Sequence, residues 1–455
     1  MAEKTLRIKN IKVTNLFGLF NHNIPINTDE HVTIIHGPNG VGKTVLLRMV
    51  HSISKGDFSI FTRIPFDAFQ LDFDDESNLL LRPSHQKREK KSRIERFTLS
   101  GPEGKNSEID FSSLGTHERR FPLSIIDDII PELIRIGPEE WLNRITGERL
   151  SLQEVLLAYN TQLPHLQDRY PEWFNELMKS LKIRFVDTDR LLIRSGQQAR
   201  ERFRVSESDR MERIYEQKSS AIPTVIEFSN SLASAMKKAL VEHGTLSSSL
   251  DRTFPVRLLN QPDQPNLSEE NLRKELQEIE KKRLRLMEAG LLDTEASNVQ
   301  IPEGKIDLFK LNVLSIYAKD VRQKLEVFDD ILEKIDLLRE IVNKKFTHKT
   351  VSVNKDTGFV IKTITNHTLT PDSLSSGEQH ELVLLYTLLF TTPKHSFVLI
   401  DEPEISLHLG WQQEFLRDLL AITKIVGFDV LIATHSPDIV NDRWDLTIEL
   451  NGGGI

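Results

Sequence analysis

The feature that most constrains this chain is GPNGVGKT, residues 37–44. Gly37, Pro38, Asn39, Gly40, Val41, Gly42, Lys43 and Thr44 fit G-x-x-x-x-G-K-[ST] at every position. The spacing suits one task. Glycines let consecutive backbone N–H groups wrap a phosphate, the lysine reaches the β- and γ-phosphates, and the threonine hydroxyl binds Mg²⁺. The task needs a strand before the loop and a helix after it. HVTIIHG, residues 31–37, is a short apolar run ending in glycine and reads as a buried strand. TVLLRMVHSI, after Lys43, reads as a helix whose N-terminal dipole favours an anion. A chain built on this unit is expected to be α/β.

A second phosphate loop is expected at LSSGEQ, residues Leu374, Ser375, Ser376, Gly377, Glu378 and Gln379. It is a glycine turn opening a helix, with the Ser376 hydroxyl and the Gly377 N–H suited to face a phosphate. SFVLIDEPE, residues 396–404, is an apolar strand delivering Asp401 and Glu402 to its end. One acid is needed at Mg²⁺, expected to be Asp401 acting through water. Glu402 is then placed as the base that polarises an attacking water. VLIATHS, residues 430–436, is a buried strand ending in His435, which is suited to contact the γ-phosphate. Gln70, in PFDAFQLDF, reads either as a further γ-phosphate and metal contact or as a surface glutamine. ATP and Mg²⁺ are thus the expected ligands and ATP hydrolysis the expected reaction, with slow turnover or ATP as a structural or regulatory ligand as the alternative. Two loops for one nucleotide are redundant in a single chain. They cease to be so if two chains pair head to tail, each LSSGEQ closing on the phosphate held by the other chain's Lys43. A homodimer or higher homo-oligomer with ATP between protomers is expected, ATP favouring the closed pair through its extra contacts there.

The 455 residues allow two or three domains. Residues 1–124 are expected to hold the N-terminal part of the nucleotide-binding domain, and residues 347–455 its C-terminal part. Residues 125–346 are expected to form a mainly helical insertion. Within it, RFVDTDRLL (residues 184–192) reads as one inserted strand and QPDQPN (residues 261–266) as a loop. Residues 268–290 read as a helix capped by Ser268, and YAKDVRQKLEVFDDILEKIDLLREIVNKKF as a second, more regular one. The pair is read as a short antiparallel arm or as two lid helices on a core. THKTVSVN and FVIKTITN around KDTG read as a hairpin. The basic run HQKREKKSR, residues 85–93, reads as a solvated hairpin tip or as a DNA-backbone contact. No cysteine occurs, which excludes disulfides, thiolate metal sites and a cysteine nucleophile. With net charge −8, any nucleic-acid contact must use a local basic patch. There is no apolar run of transmembrane length and no secretory h-region, so a cytoplasmic protein without a membrane partner is expected.

GPNGVGKT, LSSGEQ, FVLIDEPE and ATHS, in that order, resemble the ABC-type ATPase head in the soluble form found in SMC, RecN and RecF-like proteins. ISLHLGWQ, LDRTFPVRLL and FVDTDRLL bring the resemblance closer to OLD-like AAA-type ATPases of bacterial anti-phage systems, and nearest to the PtuA family, the ATPase subunits of Septu and of some retron systems. The resemblance implies an ABC-ATPase head: a P-loop mixed sheet with flanking helices, an antiparallel β subdomain and a helical insertion. It implies the usual roles for Lys43, Thr44, Asp401, Glu402, Ser376, Gly377 and His435. It also implies an HNH nuclease partner of the PtuB kind and contact with DNA. OLD-family relatives continue into a TOPRIM nuclease domain. That domain is expected to be absent here, which leaves cutting to a partner. A stand-alone DNA repair or recombination ATPase of the RecF or SMC kind is the alternative reading, and a transporter ATPase is disfavoured by the helical insertion.

Overall fold

The structure is a computed structural model. It describes residues 5–84, 96–110, parts of 126–159, 170–186, 192–193, 222–260, 268–293 and 306–450. The basic run at 85–93 and the loop at 261–266 lie outside the described residues. The chain divides into two compact units, the first Met1–Asp189, Ser195–Ile214 and Thr392–Ile455, the second Arg190–Arg194 and Tyr215–Thr391. The two ends of the chain therefore share one unit, and residues 347–391 belong to the other.

The first unit is built on a five-stranded parallel sheet. Its strand order is Ile183–Val186, Phe397–Asp401, Asp429–Ala433, Val32–His36, Thr447–Glu449. The three central strands are buried almost throughout, as their unbroken apolar runs require of a parallel sheet covered on both faces. Helices Lys43–Lys55 and Leu409–Val426 follow the first and second of the motif-bearing strands in sequence. The loop, the acids and the histidine therefore all emerge at the carboxyl ends of adjacent strands, where ligands of open α/β sheets gather.

An antiparallel six-stranded sheet completes this unit, in the order Phe20–Pro25, Ile8–Leu16, Ala68–Phe73, Asn78–Pro83, Arg96–Ser100, Asn106–Asp110. Its alternating burial follows the alternating sequence. Phe58, Phe61, Phe66, Phe69, Phe97, Tyr170 and Phe174 form one contiguous aromatic cluster beneath it, with neighbouring rings 5.4–6.5 Å apart. The α/β class and the antiparallel β subdomain expected from sequence are both present.

Two readings need correction here. Of the strand expected across residues 184–192, Ile183–Val186 is the edge strand of the main parallel sheet, residues 187–191 lie outside the described residues, and Leu192–Ile193 is a short strand paired with Ile222–Pro223. Pairing with the acid-bearing strand decides the place of Ile183–Val186, which an isolated apolar run cannot show. The early part of the stretch read as helical also holds three short strands, Leu133–Arg135, Glu140–Asn143 and Arg149–Ser151, in one antiparallel sheet. Trp141 is fully buried there, with the Arg135 guanidinium over its ring. Such short strands carry too few alternations to stand out from a helical period.

The second unit contains a 36-residue helix, Thr224–Leu259, and helices Glu269–Glu288, Leu308–Glu326, Asp329–Lys345 and Ser376–Tyr386. Ser268 caps its helix through its side chain, as expected. Leu272, Leu276, Ile279 and Leu286 are buried, while Leu284 faces out. The long regular helix expected from YAKDVRQ onward is two helices, broken at Val327 and Phe328. Phe328 is fully buried at the break, so burying that ring outweighs helical continuity. The expected hairpin is present as Lys349–Asn354 and Gly358–Thr363. Its turn sits on the long helix. Ser229 Oγ accepts the Phe359 N–H at 2.8 Å and donates to Thr357 O at 2.9 Å. A Cβ on Gly358, at φ 73°, would lie 1.9 Å from the Ser229 carbonyl oxygen, so only glycine fits.

A buried ion pair, Lys345 with Glu381, joins the helices Asp329–Lys345 and Ser376–Tyr386; both side chains are 2% exposed. Lys345→Ala is expected to cost about 3–5 kcal/mol, because it removes the cation that faces a buried carboxylate. Replacing both residues by leucine is expected to recover most of that loss. Urea unfolding of the parent and the two variants checks both values.

Candidate nucleotide site

The first unit brings Lys43, Thr44, Asp401, Glu402 and His435 together in two hydrogen-bonded sets, Thr44 with Asp401 and Lys43 with His435 and Glu402. Thr44 Oγ1 donates to Asp401 Oδ1 at 3.1 Å. Lys43 is 5% exposed, and its ammonium donates to the carbonyls of Gly37 at 2.8 Å and Pro38 at 3.1 Å. It also lies 3.2 Å from His435 Nδ1, and His435 Nε2 lies 2.9 Å from Glu402 Oε1. An ammonium can only donate, so Nδ1 accepts. The imidazole proton is then on Nε2, which donates to Glu402. The chain Lys43–His435–Glu402 is thus polarised in one direction.

The loop geometry follows from its glycines. Gly40 and Gly42 have φ of 83° and 101°. A Cβ on Gly42 would meet Leu16 Cδ2 at 2.6 Å and Phe17 Cε2 at 3.3 Å. A Cβ on Gly37 would meet the Leu450 carbonyl oxygen at 2.5 Å. The loop is also braced from the antiparallel sheet by His22, buried, whose Nε2 lies 2.9 Å from the Val41 carbonyl oxygen. Burial holds that imidazole below its ordinary pKa, so the neutral ring donates its N–H to the carbonyl.

Electrostatically the site is divided. Burial lowers the Lys43 pKa, opposed by Glu402, Asp401 and Glu404. Burial raises the Asp401 carboxyl above its usual range. Glu402 and Glu404 push the same way, against the Thr44 hydrogen bond and Arg48. Glu402 is held at φ 44°, ψ 58°, a left-handed conformation uncommon for a residue other than glycine. Its N–H donates to the Ala433 carbonyl at 2.8 Å, which ties the acid turn to the neighbouring strand. Strain of about 1–3 kcal/mol of this kind persists where the surroundings over-determine it.

Gln70 lies in the antiparallel sheet, where its amide donates to Asp72, a carboxylate that also takes Lys12 and Asn10. No hydrogen bond joins it to the loop among the described residues. The signature stretch belongs to the second unit. Ser375 caps the helix Ser376–Tyr386 in a capping box with Glu378, whose carboxylate also takes Lys349 at 2.7 Å. Leu374 is buried, and the Gln379 amide donates to the carbonyls of Asp372 and Leu374. Ser376 is exposed, and a Cβ on Gly377 would meet nothing. Of the six residues, Ser376 and Gly377 are the two not given over to holding the loop.

Sequence reading assigned nothing to Glu404, Arg48 or His22. Glu404 was in view as the third acid of DEPE; its contacts are three-dimensional and left no mark in the spacing.

Residues 173–441, more than half of the chain, match the family described as "AAA domain, putative AbiEii toxin, Type IV TA system". The chain belongs to this family. The matched stretch of the AAA domain includes LSSGEQ, DEPE and ATHS, while GPNGVGKT precedes it. A local match joins 82 residues to the UvrABC system protein A of Chlamydia pneumoniae at 35% identity, covering 18% of this chain and 4% of that protein. Among solved structures, the Smc head domain with an extended coiled coil bound to the C-terminal domain of ScpA, from Pyrococcus furiosus, superposes with TM-score 0.33 at 13% identity. It covers 99% of this chain and 95% of that one. The SmcHead bound to the C-winged helix domain of ScpA gives TM-score 0.33 at 10% identity, over 95% and 90%. Among the described residues no helix is long and apolar enough to cross a membrane.

Proposed function

We propose that this AAA-domain protein binds and hydrolyses Mg·ATP, and that it serves as the sensor and scaffold subunit that controls a partner HNH nuclease in anti-phage defence. The observation that carries the ATPase reading is the polarised chain Lys43–His435–Glu402 beside the Thr44–Asp401 pair. Lys43 and the N–H groups of the loop bind the phosphates. Glu402 takes the proton of the attacking water, and His435 holds Glu402 in place and reports on the γ-phosphate.

The residues fit a magnesium ion. Thr44 and Asp401 offer the hard oxygen donors it prefers, and the raised pKa of Asp401 marks a carboxylate whose ionisation a cation would favour. No group of three or more His, Asp or Glu among the described residues could hold a metal, which agrees with an ion carried largely by phosphates and water. When bound, the ion would supply positive charge to the phosphates, held on the protein side by Thr44 and Asp401.

Exposed Ser376 and open Gly377, at the start of an 11-residue helix, support a signature loop that closes on nucleotide held by a second copy. In this reading residues 1–124 and 347–455 act as the two parts of the ATPase head, and residues 125–346 as its insertion. The defence role, the HNH partner and DNA contact rest on the resemblance of the motif set. Light scattering with and without Mg·ATP, alone and with an HNH partner, tests the scheme. ATP- or partner-driven assembly of defined mass is expected, and a mass indifferent to both would refute the scaffold. Ser376→Arg is expected to block ATP-dependent assembly and to leave nucleotide affinity of the single chain within about twofold, since it alters no group of the P-loop. An intact ATP-dependent dimer in that variant would contradict closure across the interface.

A further inference from the structure

We propose that Glu404 is a positioning residue that fixes His435 between Lys43 and Glu402; the catalytic part of this rests on the ATPase reading above. Glu404 lies in the short turn Pro403–Ser406, two residues beyond Glu402. Its Oε1 accepts two hydrogen bonds at 2.9 Å, one from Thr434 Oγ1 and one from the His435 backbone N–H. Thr434 is fully buried, and its hydroxyl oxygen accepts the Ser436 N–H at 3.0 Å. Gln412, on the helix Leu409–Val426, closes the other side. Its amide donates to the Glu404 carbonyl at 3.2 Å, and its Oε1 accepts the Ser436 hydroxyl at 3.2 Å. Glu404 and Gln412 together therefore hold residues 434, 435 and 436 in succession.

The grip matters because the ring of His435 bridges two fixed partners. Nδ1 faces Lys43 at 3.2 Å and Nε2 faces Glu402 at 2.9 Å. One tautomer satisfies both, and only while the backbone at 435 holds its place. Stability does not account for a carboxylate here. Glu404 adds a third negative charge beside Asp401 and Glu402 and disfavours ionisation of Asp401. Its Oε2 is buried with no hydrogen-bond partner among the described residues. A buried unsatisfied oxygen and like-charge crowding both cost free energy, and such costs collect where a site requires them. Among the described residues Glu404 makes no hydrogen bond to Lys43 or Thr44 and acts on Lys43 only through space, so its loss is expected to fall mainly on the chemical step.

The test uses the full chain labelled with ¹⁵N-histidine, with His435→Asn to assign the ring. Wild type is expected to show His435 as the Nε2–H tautomer without nucleotide. Glu404→Ala is expected to lose that fixed signature. Its kcat is expected to fall roughly 10–100-fold, the scale of a small misplacement of a reacting group, with KM for ATP within about twofold. Glu404→Gln keeps an acceptor oxygen and is expected to restore the tautomer and most of kcat. Glu404→Met fills the volume without accepting a hydrogen bond and replaces the alanine variant if that one does not fold. An unchanged His435 signature in E404A or E404M overturns the proposal. So does a rise in KM equal to the loss in kcat, or a glutamine variant as defective as alanine. If the wild type does not hydrolyse ATP, the ATPase reading fails while the ring spectrum still decides the role of Glu404.

Discussion

Lys43→Ala is expected to abolish nucleotide binding and every assembly that depends on it. The ammonium is nearly buried, and the two carbonyls and the imidazole that hold it leave it pointing along its own loop. Phosphate oxygens entering the loop would take charge-assisted bonds from it, each worth about 1.5–3 kcal/mol. Losing one or two such bonds weakens binding by roughly tenfold to 10⁴-fold, at about 1.4 kcal/mol per decade. The loss has a second source. Asp401, Glu402 and Glu404 all act on Lys43, and without it they face the phosphates uncompensated. Titration with a fluorescent ATP analogue reads the affinity, and circular dichroism verifies the fold. Unchanged affinity in a folded variant would remove residues 37–44 from the site and with them the ATPase reading.

The parts of the fold that sequence reading captured are those in which local pattern and tertiary role coincide. The strand Val32–His36, the loop and the helix Lys43–Lys55 form one continuous stretch of chain, so their apolar run, glycines and amphipathic helix point to one answer. The hairpin Lys349–Thr363 was legible for the same reason, since its turn residues and alternating strands are adjacent. The strand Ile183–Val186 was recognised, but its sheet was not, because its partner lies more than two hundred residues away. The break at Phe328 was hidden, because a helix interrupted for two residues keeps nearly the same apolar period on either side. In the site, type and spacing pointed to Lys43, Thr44, Asp401, Glu402 and His435, and these form two hydrogen-bonded sets, Thr44 with Asp401 and Lys43 with His435 and Glu402. Glu404 was illegible in role: its partners Thr434 and His435 belong to a strand end that only the parallel sheet brings beside it.

Glu402→Gln is expected to bind ATP with near-parent affinity and to lose hydrolysis by roughly 10²–10⁴-fold, the usual contribution of a general base. The substitution is close to isosteric. The glutamine carbonyl can still accept from His435 Nε2, so the chain from Lys43 through His435 remains in place. Backbone strain is also unchanged, because glutamine is no better suited than glutamate to φ 44°. A thermal midpoint near that of the parent would therefore show that the lost rate is chemical. ATP then stays bound, and any ATP-dependent assembly should accumulate and persist after free nucleotide is removed. Single-turnover hydrolysis and the lifetime of the assembly read the two consequences separately. Continued hydrolysis at the parent rate would exclude Glu402 as the base. Glu404 is poorly placed to replace it, since one oxygen is engaged by Thr434 and the His435 N–H and the other is buried. Asp401 is committed to Thr44 and has its ionisation disfavoured by burial. Among the three carboxylates, Glu402 alone combines partial exposure with an imidazole partner that can hold it for a water molecule.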